Sequence, residues 1–329
     1  MKYLLLAFYF LSSNQADFDG KNLIFSGKFQ VEHPMGLLKA EKATLKDLQL
    51  HHPTKKGMQL FLEEGVSIES MKGKTPFAIS SRSAFCELPP NTFLSFFQFQ
   101  ELQFYDEVKI TTLLGIQAHG GSAFYKTGSL TLYPSIPLSC CQLERGLDRI
   151  EAQEIRFDLL KEELSCFKAH GILALREREP SLHFSTETLL WQKKEEKLYF
   201  QKDVFIEQTG QFSLYADNAL LTFQNEFEPH LFWLEGNVRL FSPQIQDKES
   251  FSVADQIAFY PQERKIILSS LPPKRVLFWQ EGFSLSAPEV WIERDPLTGK
   301  ETIEGKGDVH FAFDSEEKNI IEQLLSKYL

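Results

Sequence analysis

LYADNALL at residues 214–221 is the stretch that decides the fold, because its spacing recurs along the chain. It contains an apolar residue, a gap, a small residue, two polar positions and a second small residue; related copies are LKAEKATL at 38–45 and LSAPEVWI at 285–292. Ala216 and Ala219 are three residues apart, which places them on opposite faces of a straight strand. Both can face inward only where the strand bends or bulges. The motif therefore predicts a strand that turns a corner once in each repeat.

Weaker copies of this motif extend the repeat over most of the chain. Successive copies are 31 to 41 residues apart, which is typical of strands of fixed length joined by variable turns. The sequence therefore predicts an all-β fold, in which a β-solenoid-like repeat of antiparallel strands folds over a hydrophobic interior. The central small residues of the copies lie at positions 40, 81, 118, 152, 185, 216, 254 and 287.

Alternating apolar residues precede most copies, as in GKFQV at 27–31 and GNVRL at 236–240. This period of two indicates a strand with one buried face, and the leading glycine fits a bulge or a tight bend. The chain also contains 30 Phe, which fits either a Phe-rich core or an apolar channel. Both interpretations stay open for each inward position. The candidate channel residues are Phe29, Val31, Ile68, Val204, Ile206, Leu214, Val238, Leu240, Phe259, Phe283 and Leu285.

The N-terminus has the order of a secretion signal. Met1-Lys2 is a short basic start, residues 3–11 form an apolar run, and a polar segment then ends at Ala16. Nine apolar residues are too few to span a bilayer, so the pattern predicts a signal peptide at residues 1–16. We therefore expect an exported protein outside the cytoplasm, which stays tethered to the membrane if the signal is not cleaved.

The repeats divide into two predicted lobes followed by a helix. The first lobe covers residues 17–132, a Pro-containing linker covers 133–147, and the second lobe covers 148–314. Residues 315–329 carry apolar side chains at helical spacing and predict a short amphipathic helix. We expect this helix to cover the open end of the sheet, and a partner-binding helix is the alternative. Its apolar positions are Ile320, Ile321, Leu324, Leu325 and Tyr328.

Four cysteines remain for an exported compartment that permits disulfides. They are Cys86, Cys140, Cys141 and Cys166, and four thiols allow three pairings. Adjacent Cys140 and Cys141 favour separate partners over each other. Buried free thiols in strands are the alternative to disulfides.

Composition and motifs argue against several classes of function. The formal charge of −10 disfavours nucleic-acid binding, which needs a net basic surface. The sequence contains no nucleophile elbow, no zinc-protease motif and no phosphate-binding loop, so we expect neither catalysis nor a cofactor. His51 and His52 could ligate a metal, but adjacent side chains of a strand point apart. We therefore expect no metal site.

Two phrases resemble a known family. LEGNVRL at 234–240 followed by ADQIAFY at 254–260 is similar to the repeats of the OstA-like lipopolysaccharide-transport proteins LptA, LptC and the N-terminal domain of LptD. Related cues lie at 215–219 and 26–31, and the resemblance is best over residues 195–312. It implies an OstA-like, folded-over β-jellyroll that is open along one side. This chain is longer than LptA and adds repeats and a terminal helix.

The resemblance also implies a function. Members of the family hold the acyl chains of lipid A in an apolar groove and join end to end through edge strands. We therefore expect a periplasmic lipid-binding protein of lipopolysaccharide transport to the outer membrane, with lipopolysaccharide and other Lpt-type envelope proteins as partners. The alternative is a non-catalytic envelope scaffold that binds partners by β-edge pairing. A tightly filled interior favours the scaffold, and a continuous open groove favours the lipid carrier.

Overall fold

The computed structural model consists of two compact units, residues 1–166 and 167–329. We call them the N-terminal unit and the C-terminal unit and describe each by itself. The described residues are 11–33, 36–46, 58–70, 76–88, 101–112, 115–126, 128–135, 139–174, 181–224, 228–245, 248–280, 282–295, 298, 300–313 and 315–328.

The N-terminal unit is built from antiparallel strands. Its strands are β1 (Leu11–Ser12), β2 (Gln15–Phe18), β3 (Leu23–His33), β4 (Gly36–Lys46), β5 (Met58–Ser70), β6 (Phe77–Leu88), β7 (Glu101–Thr112), β8 (Gln117–Lys126), β9 (Ser129–Tyr133), β10 (Cys141–Arg145), β11 (Asp148–Ala152) and β12 (Glu154–Asp158). The division between the units falls inside the next strand, β13 (Glu163–Leu173).

The C-terminal unit continues with strands and ends in one helix. Its elements are β14 (Leu182–Gln192), a 3₁₀ turn (Lys193–Glu195), β15 (Lys197–Gln208), β16 (Phe212–Gln224), β17 (Glu228–Ile245), β18 (Lys248–Tyr260), β19 (Lys265–Ser269), β20 (Val276–Gln280), β21 (Phe283–Ala287), β22 (Glu289–Arg294), β23 (Glu301–Lys306) and α1 (Ser315–Tyr328). The predicted all-β fold with a short C-terminal helix is confirmed.

The long strands bend where their register shifts. In β15, Lys202 and Asp203 both adopt left-handed backbone, with φ of 64° and 49°. These two residues face only Asp217 of β16, because Gln201 pairs with Asn218 and Val204 pairs with Ala216. Two residues opposite one form a β-bulge, which bends the strand. We call this point of each long strand the corner.

Burial confirms the corner that the small-residue motif predicts. Ala216 and Ala219 are 7% and 4% exposed, so both face the interior although they are three residues apart. Ala40 and Ala43 repeat the pattern in the N-terminal unit at 4% and 0%. A straight strand would have exposed one residue of each pair.

The corners divide the C-terminal unit into two walls. Wall 1 contains the part of each strand from β14 to β18 that lies on the same side of the corner as Val204, Leu214 and Leu240. It also contains β20 and β21. Wall 2 contains the other parts of β14 to β18, together with β19, β22 and β23. The strand β18 marks the division, because residues 250–253 pair with β20 and residues 256–260 pair with β19. We call the side opposite the corners, where the strand ends lie, the mouth.

Residues of the predicted linker and of the predicted signal peptide lie in strands of the N-terminal unit. The expected linker at 133–147 contains β10, which pairs with β8 and β11. Residues 11–16 of the expected signal peptide form β1 and the start of β2, and these strands pair with the edge of β3. Residues 1–10 lie outside the described part of the chain.

The helix α1 does not cover the open end of the sheet, contrary to our expectation. Ile321 is buried in a cluster with Phe313, Phe251 and Leu277. Phe251 alternates with the inward residue Ser252, so this cluster lies on the outer face of wall 1. The helix packs there because that outer face is itself apolar. The side chains of Leu324, Leu325 and Tyr328 lie outside the described part of the structure.

The segment that precedes α1 covers the end of the walls instead. Ser286 of β21 and His310 exchange two backbone hydrogen bonds of 2.8 Å. Val309 then contacts the interior, since a Cβ atom at Gly305 would lie 3.1 Å from its Cγ1 and 3.2 Å from Cδ1 of Leu285. Residues 308–310 therefore close the C-terminal end between the two walls.

Candidate binding groove

The predicted channel residues all lie on strands, and most are fully buried. Nine of the eleven are at most 5% exposed, and Phe259 and Phe283 are partly exposed. The nine are Phe29, Val31 and Ile68 in the N-terminal unit and Val204, Ile206, Leu214, Val238, Leu240 and Leu285 in the C-terminal unit. Their side chains face the interior because they follow the period of two between a corner and a strand end.

Aromatic rings join the two walls of the C-terminal unit. Phe184 of wall 1 meets Phe200 of wall 2 edge to face, with ring centroids 5.3 Å apart. Nearer the mouth, Phe212 of wall 1 meets Phe259 of wall 2 at 6.4 Å in the same geometry. Such pairs contribute about 0.5–1.5 kcal/mol beyond their burial. The interior is thus held together by contacts across the walls as well as by strand pairing.

An apolar cleft lies between these walls at the mouth. Wall 1 lines it with Leu182, Ile206, Phe212 and Leu214, and wall 2 lines it with Phe232 and Phe259. Pro229 and Pro261 complete its rim. Every lining residue is apolar, and the cleft encloses about 10 Å³, roughly the space of one water molecule.

The structure brings three of the predicted channel residues, Ile206, Leu214 and Phe259, into the cleft. Val204 and Val238 lie nearer the corner on wall 1, and Leu240 pairs with Leu214 in the same row. Sequence reasoning missed Phe212 and Phe232, which nevertheless follow the period of two from Leu214 and Leu234. Extending that alternation to the ends of the strands would have found both residues.

A polar contact fixes the corner behind this cleft. Gly236 has φ of +78°, and Nδ2 of the next residue, Asn237, donates a 2.9 Å hydrogen bond to Oδ2 of Asp217. A Cβ atom at position 236 would lie 2.4 Å from the same Oδ2 atom. Only glycine leaves room for this carboxylate, because every other residue places a Cβ there. Gly236 and Asn237 of β17 therefore form this corner together with Ala216 and Asp217 of β16.

A second carboxylate holds wall 2 to a turn. Asp255 accepts hydrogen bonds from Nζ of Lys274 at 2.8 Å and from the backbone N–H of Leu271 at 3.0 Å. The bond from Lys274 holds the pKa of Asp255 below its ordinary value. Both bonds favour the charged carboxylate, which occupies the polar position of another small-residue motif.

The four cysteines are free thiols. Strand register explains why Cys86 and Cys141 have no thiol opposite them: Cys86 pairs with Leu60, and Cys141 pairs with Ala152. Burial raises the pKa of Cys86, Cys141 and Cys166 to about 12. Cys140 is partly exposed.

The part of the chain that the structure describes contains no group of three or more His, Cys, Asp or Glu side chains that could hold a metal ion. His51 and His52 lie outside that part. Among the described residues, no helix is long and apolar enough to cross a membrane.

Comparisons with known proteins find similarity among solved structures. No protein-family model matches the sequence, and no curated protein matches it. Among solved structures, the chain is similar to LptH from Pseudomonas aeruginosa, described as the LptA homologous periplasmic component of the conserved lipopolysaccharide transport device. The two chains are 10% identical, with a TM-score of 0.35, and the match covers 43% of this chain and 99% of LptH.

Proposed function

We propose that this chain is a periplasmic lipid-binding protein of lipopolysaccharide transport to the outer membrane and holds acyl chains between its two walls. The observation that carries the proposal is the wholly apolar cleft at the mouth of the C-terminal unit. The assignment to lipopolysaccharide rests on the resemblance of the Gly-Asn and Ala-Asp repeats to the OstA-like family. A binding site of this kind needs no catalytic group, because it only removes acyl chains from water.

Acyl-chain binding requires the walls to separate at the mouth, since the cleft holds about one water molecule. Separation breaks the contact between Phe212 and Phe259, at a cost of about 1 kcal/mol. Each methylene group removed from water returns about 0.8 kcal/mol. Two methylenes therefore offset the loss of that ring contact, and a longer acyl chain provides many more.

Locking the mouth tests this proposal directly. The variant combines Phe212→Cys and Phe259→Cys in a Cys140→Ser background, and a short bifunctional thiol reagent joins the new cysteines. Purified lipopolysaccharide should bind the variant before cross-linking and should not bind it afterwards. The same variant treated with a monofunctional reagent is the control. Undiminished binding to the cross-linked protein would contradict the proposal.

Photo-cross-linking in cells tests the lining of the groove. A photoreactive residue at Val204, Val238 or Phe283 should give lipopolysaccharide adducts, because these positions face the interior. Arg239 is the control, since it follows Val238 and faces the opposite side of the sheet. Adducts of equal yield at Arg239 would indicate non-specific contact with lipid.

A scaffold that binds partners by edge pairing is the second candidate function, and the packed interior favours it. Nine predicted channel residues are buried by other protein atoms, as in an ordinary core. In the C-terminal unit, β23 pairs with β22 among the described strands, and its other side is a candidate edge for pairing. Folded protein that yields no lipid adduct at any inward position would favour this function.

A further inference from the structure

The inner face of wall 1 changes from apolar to polar on three neighbouring strands. Ser242 of β17, Ser250 of β18 and Gln280 of β20 lie in the row nearest the mouth, and Ser252 of β18 lies one row deeper. All four are buried, at 6%, 1%, 5% and 1% exposure. Polar side chains buried in an apolar groove are costly, so their placement needs a reason.

Strand register puts these residues on the same face as the predicted channel. Ser242 pairs with Ser250, and Ser250 pairs with Gln280. Ser252 lies between Leu240 of β17 and Phe278 of β20. Because cross-strand pairs share a face, the hydroxyl of Ser252 belongs to the interior that Leu240 lines.

The hydrogen bonds of this group distinguish Ser252 from its neighbours. The Ser242 hydroxyl donates to the carbonyl of Gln211 at 2.7 Å, and the Ser250 hydroxyl donates to the carbonyl of Ser242 at 3.4 Å. Within the described part of the chain, the Ser252 hydroxyl has no hydrogen-bond partner. A buried hydroxyl without a partner is uncommon in folded proteins and identifies a donor that a bound group could satisfy.

The chemistry of this row selects a neutral ligand group. Its members are hydroxyls and one amide, so a carboxylate placed there would lose its hydration without gaining a countercharge. A carbonyl oxygen can accept a hydrogen bond from Ser252 and remain uncharged. We propose that Ser252 and its polar row form a subsite for the ester or amide carbonyl of an acyl chain bound between the walls. This inference rests on the proposed function and adds that the groove recognises the carbonyl group of the acyl chain as well as its hydrocarbon part.

Two lipids that differ only in their carbonyl groups test the subsite. One is a short-chain diacyl phosphatidylcholine kept below its micelle-forming concentration, and the other is its dialkyl ether analogue. The unmodified full-length protein should bind the ester lipid about five-fold more tightly, as expected for one neutral hydrogen bond. Ser252→Ala should lose this preference and keep its affinity for the ether lipid. Ser213→Ala on strand β16 is the control, because Ser213 alternates with the inward residue Leu214 and faces the opposite side of the sheet.

The outcomes separate the subsite from the function on which it rests. Equal binding of the two lipids by the unmodified protein would overturn the subsite and leave the lipid-binding proposal standing. A preference that persists in Ser252→Ala would also overturn it, because the carbonyl would then be recognised elsewhere. Binding of neither lipid, together with no binding of lipopolysaccharide, would overturn both.

Discussion

Gly236→Ala should destabilise the C-terminal unit more than an ordinary glycine substitution does. Gly236 has φ of +78°, and an L-residue in left-handed backbone costs about 1–2 kcal/mol. The new Cβ atom would also lie 2.4 Å from Oδ2 of Asp217, so this carboxylate must move. Its movement breaks the hydrogen bond from Asn237, at a cost of about 1 kcal/mol. The free energy of unfolding should therefore fall by about 2–3 kcal/mol.

Gly210→Ala is the matched control for this substitution. Gly210 lies in the turn between β15 and β16 with φ of +73°, and a Cβ atom there would meet nothing within 4 Å. Gly210→Ala should therefore lower the free energy of unfolding only by the cost of an L-residue in left-handed backbone, about 1–2 kcal/mol. The difference between the two variants isolates the close approach at the corner.

Tryptophan fluorescence during urea unfolding measures the free energy of unfolding of the C-terminal unit in both variants. The four tryptophans, Trp191, Trp233, Trp279 and Trp291, all belong to residues 167–329. The signal therefore reports on the C-terminal unit and avoids treating two units as a single transition. Equal losses of unfolding free energy in the two variants would refute the reasoning, because the Asp217 contact would then contribute nothing at the corner.

Further predictions concern the thiols, a carboxylate and the helix. In native protein at pH 8, Cys140 alone should react with a thiol reagent, because burial raises the pKa of the other three thiols to about 12. All four thiols should react in denaturant. Rapid reaction of all four in native protein would contradict this prediction. The bond from Lys274 lowers the pKa of Asp255, so its contribution to stability is present above the ordinary value of 3.8 and is lost as the pH falls through the lower folded value. Asp255→Asn should thus be less stable than the unmodified protein at pH 6 but nearly equal to it in strong acid, and a gap that does not change with pH would exclude this linkage. In urea unfolding, Ile321→Ala should lower the free energy of unfolding by about 2–3 kcal/mol and Ile320→Ala by less than about 1 kcal/mol. The reason is that Ile321 is 4% exposed and Ile320 is 44% exposed. Equal losses in the two variants would show that the helix does not pack through Ile321.

The corner is the part of the fold that the sequence predicts best. A separation of three between Ala216 and Ala219 conflicts with the period of two in a straight strand, and a bend resolves the conflict. The inward positions between corner and strand end follow from the same rule. The rule fails on β18, where Ser250 and Ser252 face inward and Phe251 faces outward. There the apolar side of the strand is the outer one.

The position of the helix could not be predicted from its own residues. The spacing of Ile320 and Ile321 indicates an amphipathic helix but does not identify the surface that it covers. That surface is defined by Phe251 and Leu277, which are distant in sequence. The apolar outer face of β18 is the signal that was missed, since an outward Phe between two serines requires a cover.

Because residues 308–310 close the C-terminal end, the number of paired strands and the closure of their end are determined by different parts of the sequence. From β14 to β18, each strand pairs with its neighbours in sequence, whereas the closure uses residues after β21. An additional pair of bent strands inserted between β15 and β16 would bring its own corners and leave Val309 and His310 in place. The number of repeats can therefore change, by duplication or by design, without redesigning the terminus.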